Sequence, residues 1–357
     1  MLRRPLRFAL LGCALTAAAC GGSGGGAAST SLSGYLSQLP APATSDEVIL
    51  VDYADLARAS EIAGVKPPDG TSDTAAAVDW AKAVSGITPT KGHAAAALLP
   101  QAANMDSSFA EKAATDDVGW AVPEVDSYAE RDTPPARVSV LDGRFERGRL
   151  AHALHDAGDG VWVAGDPDGK LHVDEATPAR PLGEALWLTL DGHRLRVASK
   201  KADVRREGDT LADNPALAAL AGALDHHHAY SAMLAAGGPL GADALDEVFS
   251  TRSERPVPGP RCDGLTGAAV GVADDGKPLI LLAVTQADKA KADGNATAIE
   301  GALRTGQDPV TARHWSDIVT VDSVKVEDGV VVATLRPAGM SLGGWRSFML
   351  NRAFPPC

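Results

Sequence analysis

Apolar positions along this chain alternate between two spacings. From Asp46 to Tyr53 the order Asp-Glu-Val-Ile-Leu-Val-Asp-Tyr sets four apolar residues in a row between acids, which predicts a buried strand. Tyr53 to Ala63 continues at helical spacing and stops at Gly64, with Asp52 or Asp55 placed to cap it. Ala75 to Val84 and Ser107 to Ala114 read as two further helices. Gly119 to Asp126 then leads through Thr133-Pro134-Pro135 into a strand at Val138 to Gly143, a helix from Glu146 to Ala157 and a strand at Gly160 to Gly165. Asp166-Pro167-Asp168-Gly169 reads as a turn. Ala185 to Leu190 and Leu195 to Ala198 flank Asp191-Gly192, a hairpin signal. A helix over Ala216 to Leu224 and a strand from Tyr230 to Leu234 follow.

The same rhythm returns after a stretch rich in Pro, Ser and Arg at Arg252 to Pro260. Strands at Gly267 to Val272 and Leu279 to Val284 flank Asp274-Asp275-Gly276, a helix covers Ala287 to Arg304, and strands at Val319 to Val326 and Val330 to Leu335 flank Asp328-Gly329. Short strands joined by Asp-Gly turns, with helices between, predict an α+β fold of antiparallel sheets with helices on one face. Their recurrence suggests a duplicated unit of ferredoxin-like type. The expected division is a leader at 1–19, a tether rich in Gly, Ser and Pro at 20–44, an N-terminal domain at 45–255 and a C-terminal domain at 256–357.

The first twenty residues carry a separate signal. Arg3, Arg4 and Arg7 precede an apolar run from Phe8 to Ala19, which is shorter than the about 20 residues needed to span a bilayer. Small residues Ala17-Ala18-Ala19 abut Cys20, and a glycine tract follows. The stretch resembles a bacterial lipoprotein signal, which implies that Cys20 becomes the acylated mature N-terminus on the extracytoplasmic face of the cell membrane. Cys13, after Leu10-Leu11-Gly12, is a second candidate, but it leaves only about five apolar residues behind Arg7, short of what a leader needs. Cleavage after Ala19 without acylation is the alternative outcome. Two or three acyl chains, at about 0.8 kcal/mol per buried methylene, anchor a protein permanently.

Formal charge is −13 for the 357 residues, or −16 once a leader with three arginines and no acid is removed. Such a surface repels nucleic acid and anionic lipid headgroups, so neither is expected as a partner. With Cys13 and Cys20 assigned to the leader and the anchor, Cys262 and Cys357 remain, and an exported chain predicts a disulfide between them.

Candidate chemistry is sparse. His226, His227 and His228 are candidate metal ligands, but consecutive residues diverge in helix or strand, and a polar turn is the simpler reading. His152 and His155 would share a face of the helix from Glu146 to Ala157. Gly339-Met340-Ser341-Leu342-Gly343 matches a nucleophile-elbow pattern, yet neither histidine nor acid follows it, and His314 and Asp317 precede it. Asp166 and Asp168 could begin a calcium loop, but the later ligands are missing. The sequence holds no phosphate-binding loop, dinucleotide fingerprint or paired zinc knuckle, and no cofactor is expected.

Together with the leader, Val51 to Gly64, Gly119-Trp120 before Val125-Asp126, and Pro134-Pro135 ahead of Val140 to Gly143 resemble uncharacterised secreted lipoproteins of high-GC Gram-positive bacteria. That resemblance implies no activity and no site. Two readings follow: a non-enzymatic envelope module that binds a protein or small molecule, or an anchored hydrolase or metal-dependent enzyme using Ser341 or the histidines.

Overall fold

The computed structural model describes residues 31–42, 48–68, 73–87, 95–108, 111–133, 136–205, 208–237, 262–308, 311–338 and 348. In chain order the first elements are α1 (Leu32–Leu36), β1 (Ile49–Asp55), α2 (Leu56–Ala63), α3 (Thr74–Val84), α4 (Met105–Ser108), α5 (Lys112–Val118), β2 (Val125–Thr133), β3 (Ala136–Gly143) and α6 (Arg147–Ala153). Next come β4 (His155–Asp156), β5 (Val161–Ala164), β6 (Leu186–Asp191), β7 (Arg194–Ala198), α7 (Pro215–His226) and β8 (Ser231–Ala236). The last are β9 (Leu265–Asp274), β10 (Pro278–Gln286), α8 (Ala292–Thr305), β11 (Val319–Glu327) and β12 (Val330–Pro337).

The class is α+β, and the strands form one open 12-stranded antiparallel sheet in the order β11-β12-β10-β9-β8-β1-β2-β3-β7-β6-β5-β4. Strand residues alternate between two cores. Ile280, Leu282 and Val284 of β10 join the first, and Leu279, Leu281 and Ala283 join the second. Helices cover both faces, which differs from the single covered face the sequence suggested: α2, α3, α5 and α8 pack on the first, α1 and α7 on the second. The reason lies in composition, because β1, β8 and β10 are apolar at consecutive positions and need cover on each side.

The recurrence is a repeat of element order other than the ferredoxin-like one. With α2 to α5 and β4 to β5 set aside as insertions, a helix on the second face, three strands, a helix on the first face and a hairpin occur as α1-β1-β2-β3-α6-β6-β7 and again as α7-β8-β9-β10-α8-β11-β12. Outward from the centre the strand orders match, β1-β2-β3-β7-β6 on one side and β8-β9-β10-β12-β11 on the other. The halves meet where β1 pairs antiparallel with β8, with Val51 opposite Leu234. Sheet and cores include residues from both sides of the expected boundary at 255, which itself lies outside the described residues.

The end of the expected tether is structured. Leu32, Tyr35, Leu36 and Leu39 are fully buried in the second core. Tyr35 Oη donates to Asp142 Oδ2 at 3.1 Å and lies 2.8 Å from Ser127 Oγ, while Arg196 Nη1 donates to the Gln38 carbonyl at 2.7 Å. Asp225, at the end of α7, accepts from the backbone amides of Leu32 and Ser33 at 3.0 Å each and so caps α1. Four apolar residues thus dock an otherwise small and polar stretch.

Close approach of α7 to β9 rests on two glycines. A Cβ on Gly267 would stand 2.9 Å from Leu220 Cδ1, and one on Gly271 would stand 2.8 Å from Leu224 Cδ2. Leu224 is buried and has little room to yield. Gly271→Val is therefore expected to lower the free energy of unfolding by about 1–3 kcal/mol with an unchanged urea dependence, read from equilibrium denaturation. Unaltered stability would show that the helix can slide off the strand without cost.

Candidate functional site

Among the described residues, two concavities of about 380 Å³ each open on the surface. The first is a groove between α2, α3 and the start of β2. Asp55 begins α2 by accepting from the Arg58 amide at 2.8 Å, and Gly64 ends it in the left-handed conformation at φ 66°, so the chain turns sharply into Val65. Leu56, Val65 and Val125 form apolar walls beside Trp80. Trp80 is fixed in place: its Nε1 donates to Ser60 Oγ at 2.9 Å, and that hydroxyl donates to the Leu56 carbonyl at 2.7 Å. Glu61 and Lys66 stand at the mouth.

Asp126 lies at this groove, at an irregular point of β2. The ladder to β3 shifts register between Val125 and Ser127, leaving Asp126 as the extra residue of a bulge. Its carboxylate is half-buried, and burial raises its pKa although Arg144 opposes the rise. Arg144 Nε stands 3.6 Å from Asp126 Oδ1, beyond hydrogen-bond length. Burial also raises the pKa of Asp55 nearby, with a smaller contribution from Asp126.

The second concavity is polar, and its charges are largely matched. Arg180 donates twice to Asp117, at 2.8 and 3.0 Å, and Thr177 Oγ1 donates to the same carboxylate at 2.6 Å. Asp166 accepts from the Asp168 amide at 2.7 Å and meets His172 Nε2 at 2.6 Å. The Asp168 amide, and after it His172, hold the Asp166 pKa down, and the bond to Asp166 holds the His172 pKa up. The expected turn at Asp166 to Gly169 is present, closed by Gly169 N on the Asp166 carbonyl at 2.9 Å. These pairs staple a loop and leave few free donors or acceptors for a ligand.

Of the sequence candidates, His155 and Asp166 line the second concavity and the others fall elsewhere. His226 ends α7, His227 caps it and meets Glu327 Oε2 at 2.9 Å, and His228 turns the chain with φ 55°. Asp225, next to them in the chain, is occupied by α1. His152 and His155 do not share a helix face, because α6 ends at Ala153 and His155 begins β4. Leu154 adopts an extended conformation there, which stops the helix four residues short of the expected end. No group of three His, Cys, Asp or Glu that could hold a metal occurs among the described residues. His314 is an exposed residue before a 3-10 turn at Trp315–Asp317, and Ser341 with its flanking glycines lies outside the described residues, as do Cys13, Cys20 and Cys357. Cys262 is buried.

One strongly shifted acid belongs to the fold. Glu130 on β2 lies directly across from Asp52 on β1 and accepts from the amides of Gln101 and Ala102 at 2.8 Å each. It thereby seats the segment 95–102, which runs over the sheet without being a strand. Sequence reasoning missed Ser60, Trp80 and Asp126 together, since no local pattern joins a helix residue, a second helix and a bulge; Asp55 as a helix cap and Gly64 as a helix stop were the legible parts. No known protein family, curated protein or solved structure matches this chain.

Burial pushes Glu130 up to about 7, against the lowering effect of the Gln101 and Ala102 amides and Arg137. An unfolded glutamate titrates near 4.5, so the folded chain holds this proton more tightly. The resulting stability is complete below the unfolded pKa and is lost as pH rises through about 7. Thermal midpoints should accordingly fall between about pH 4.5 and 7 and level off above, and Glu130→Gln should flatten that slope. A slope identical in the variant would assign the effect to other groups.

Proposed function

We propose that this chain is an extracytoplasmic lipoprotein, held to a membrane through acylated Cys20, and that its body is a non-enzymatic module binding a small ligand at the α2/α3/β2 groove. The observation that carries the anchoring is the order Arg3-Arg4, Arg7, an apolar run and Ala17-Ala18-Ala19-Cys20. The observation that favours binding is the groove, whose walls are apolar and whose polar content is concentrated in a few groups, the usual make-up of ligand sites. Among the described residues no helix is long and apolar enough to cross a membrane.

The short link between anchor and fold bears on this reading. Leu32 follows Cys20 by twelve residues, which at about 3.4 Å per residue reach at most about 40 Å. An acylated Cys20 therefore keeps the sheet close to the bilayer. Its net negative charge holds it off anionic headgroups. We also propose a bridge between Cys262 and Cys357, whose loop of about 96 residues would contribute about 4–5 kcal/mol on the chain-entropy model.

Mass spectrometry of the mature N-terminus is expected to find diacylglycerol or a third acyl chain on Cys20, and Cys20→Ser is expected to move the protein from the membrane to the soluble fraction. An unmodified residue 20, or an intact leader, would overturn the anchoring. Alkylation under denaturing conditions is expected to label neither Cys262 nor Cys357 until reductant is added; labelling of both beforehand excludes the bridge.

A further inference from the structure

Resting on the groove as the binding site, we infer that its ligand is a small amphiphilic cation: an apolar or aromatic body laid along Leu56, Val65, Trp80 and Val125, with an ammonium group on Asp126. The walls supply the first half of that description. Their polar atoms are internally satisfied where they matter most, because Ser60 Oγ both accepts from Trp80 and donates to the Leu56 carbonyl. Leu56, Trp80 and Val125 are themselves almost wholly buried, so a ligand body meets only their exposed edges together with Val65, and burying it there gains about 25 cal/mol per Å².

Asp126 supplies the second half. At the bulge in β2 a carboxylate stands at the groove, on the face that Tyr128, two residues further on, also takes. The carboxylate is half-buried and meets Arg144 only at 3.6 Å, so a donor arriving from the groove gains a charge-assisted bond that the protein leaves open. Partial desolvation, visible in the raised pKa, makes that acceptor stronger than one in water. At the mouth Glu61 adds negative potential, though Arg58 Nη1 pairs with it at 2.9 Å. Lys66 also stands there and would favour an anion, but it is exposed and screened, whereas Asp126 is not. The net charge of −16 for the mature chain further raises the local concentration of cations.

The test compares three probes of similar shape, 2-phenylethylammonium, 2-phenylethanol and 3-phenylpropionate. Calorimetric titration uses the full lipidated protein in non-ionic detergent, with empty micelles as the blank. The ammonium is expected to bind about tenfold tighter than the alcohol, the lower end for a hydrogen bond to a charged group, and the carboxylate weakest of the three. Asp126→Asn should bring the ammonium to within about twofold of the alcohol, the share left to Glu61, without weakening the alcohol. Ammonium affinity on the unaltered protein should fall as pH drops through the Asp126 titration while alcohol affinity stays level, a readout that needs no variant to fold. Glu61→Gln, on the exposed mouth, should weaken the ammonium about twofold. Equal binding of all three probes would overturn the charge inference and leave the groove as a site. Binding of none would remove the groove reading and this inference with it. Discrimination beyond about twofold that survives Asp126→Asn would place the ammonium elsewhere and overturn the assignment.

Discussion

The ladder between β1 and β8 is the constraint on which the rest of the molecule depends. It pairs six residues a side, from Ile49 with Ala236 to Ala54 with Ser231, and it is where the two runs of repeated elements meet. Unpaired, each run would end in a central strand with a full row of open amides and carbonyls. The join is reinforced at its end, where the Asp55 amide donates to the Tyr230 carbonyl at 2.7 Å and Ser231 Oγ donates to the Tyr53 carbonyl at 3.2 Å. Across the second face α1 packs on α7, and Asp225 ties them. The helix that precedes β1 thus rests on the helix that precedes β8, so sheet and helix contacts close the same seam.

Much of this order was legible, and the failures have physical causes. Asp191-Gly192, Asp275-Gly276 and Asp328-Gly329 each mark a hairpin, because tight turns between paired strands demand residues that tolerate left-handed backbone; Gly192, Gly276 and Asp328 have φ of 58°, 98° and 51°. The strand before Gly64 and the helix it stops were also plain. β2 was hidden because Tyr128-Ala-Glu-Arg-Asp132 reads as surface. Yet Glu130 serves two loop amides, Arg131 Nη1 donates to the Pro40 carbonyl at 2.7 Å, and Asp132 accepts from Arg137 at 2.9 Å. A charged residue whose partner lies tens of residues away leaves no period to detect. The same holds for α1, whose Tyr35 meets Ser127 and Asp142 from 92 and 107 positions earlier.

Between β1 and β2 the chain departs to build α2, α3, α4 and α5, and the return leg raises a problem that the central strands solve. Segment 95–102 lies buried on the sheet without ladder partners, so its amides need acceptors. Ala96 donates to Tyr230 Oη at 3.0 Å, Leu98 to Ser231 Oγ at 3.1 Å, and Gln101 and Ala102 to Glu130. Directly after these bonds Ala103 and Asn104 take left-handed backbone, at φ 55° and 51°, conformations that cost about 1–2 kcal/mol each outside glycine. Satisfied amides on one side of that turn offset its strain, which accounts for a buried carboxylate at the middle of the sheet without invoking chemistry. A perturbed acid is a site candidate only when something can reach it, and Glu130 is covered by the segment it holds.

Asp126 is the opposite case, and the difference between the two carboxylates decides where function belongs. Both sit on β2, four residues apart, and both are pushed toward the neutral form by burial. Glu130 occupies a regular ladder position, faces a cross-strand partner and spends both oxygens on backbone amides. Asp126 occupies a bulge, lines an open groove and meets its nearest cation at 3.6 Å. Because Val125 and Ser127 on either side of Asp126 are both paired with β3, the sheet holds the backbone that carries the polar group. Less ordering is then lost when a ligand arrives, since the acceptor is already in place. The polar concavity beside Asp166 lacks that property: its acids and bases are matched to each other, and a ligand there would have to break Asp117 from Arg180 before making any bond of its own.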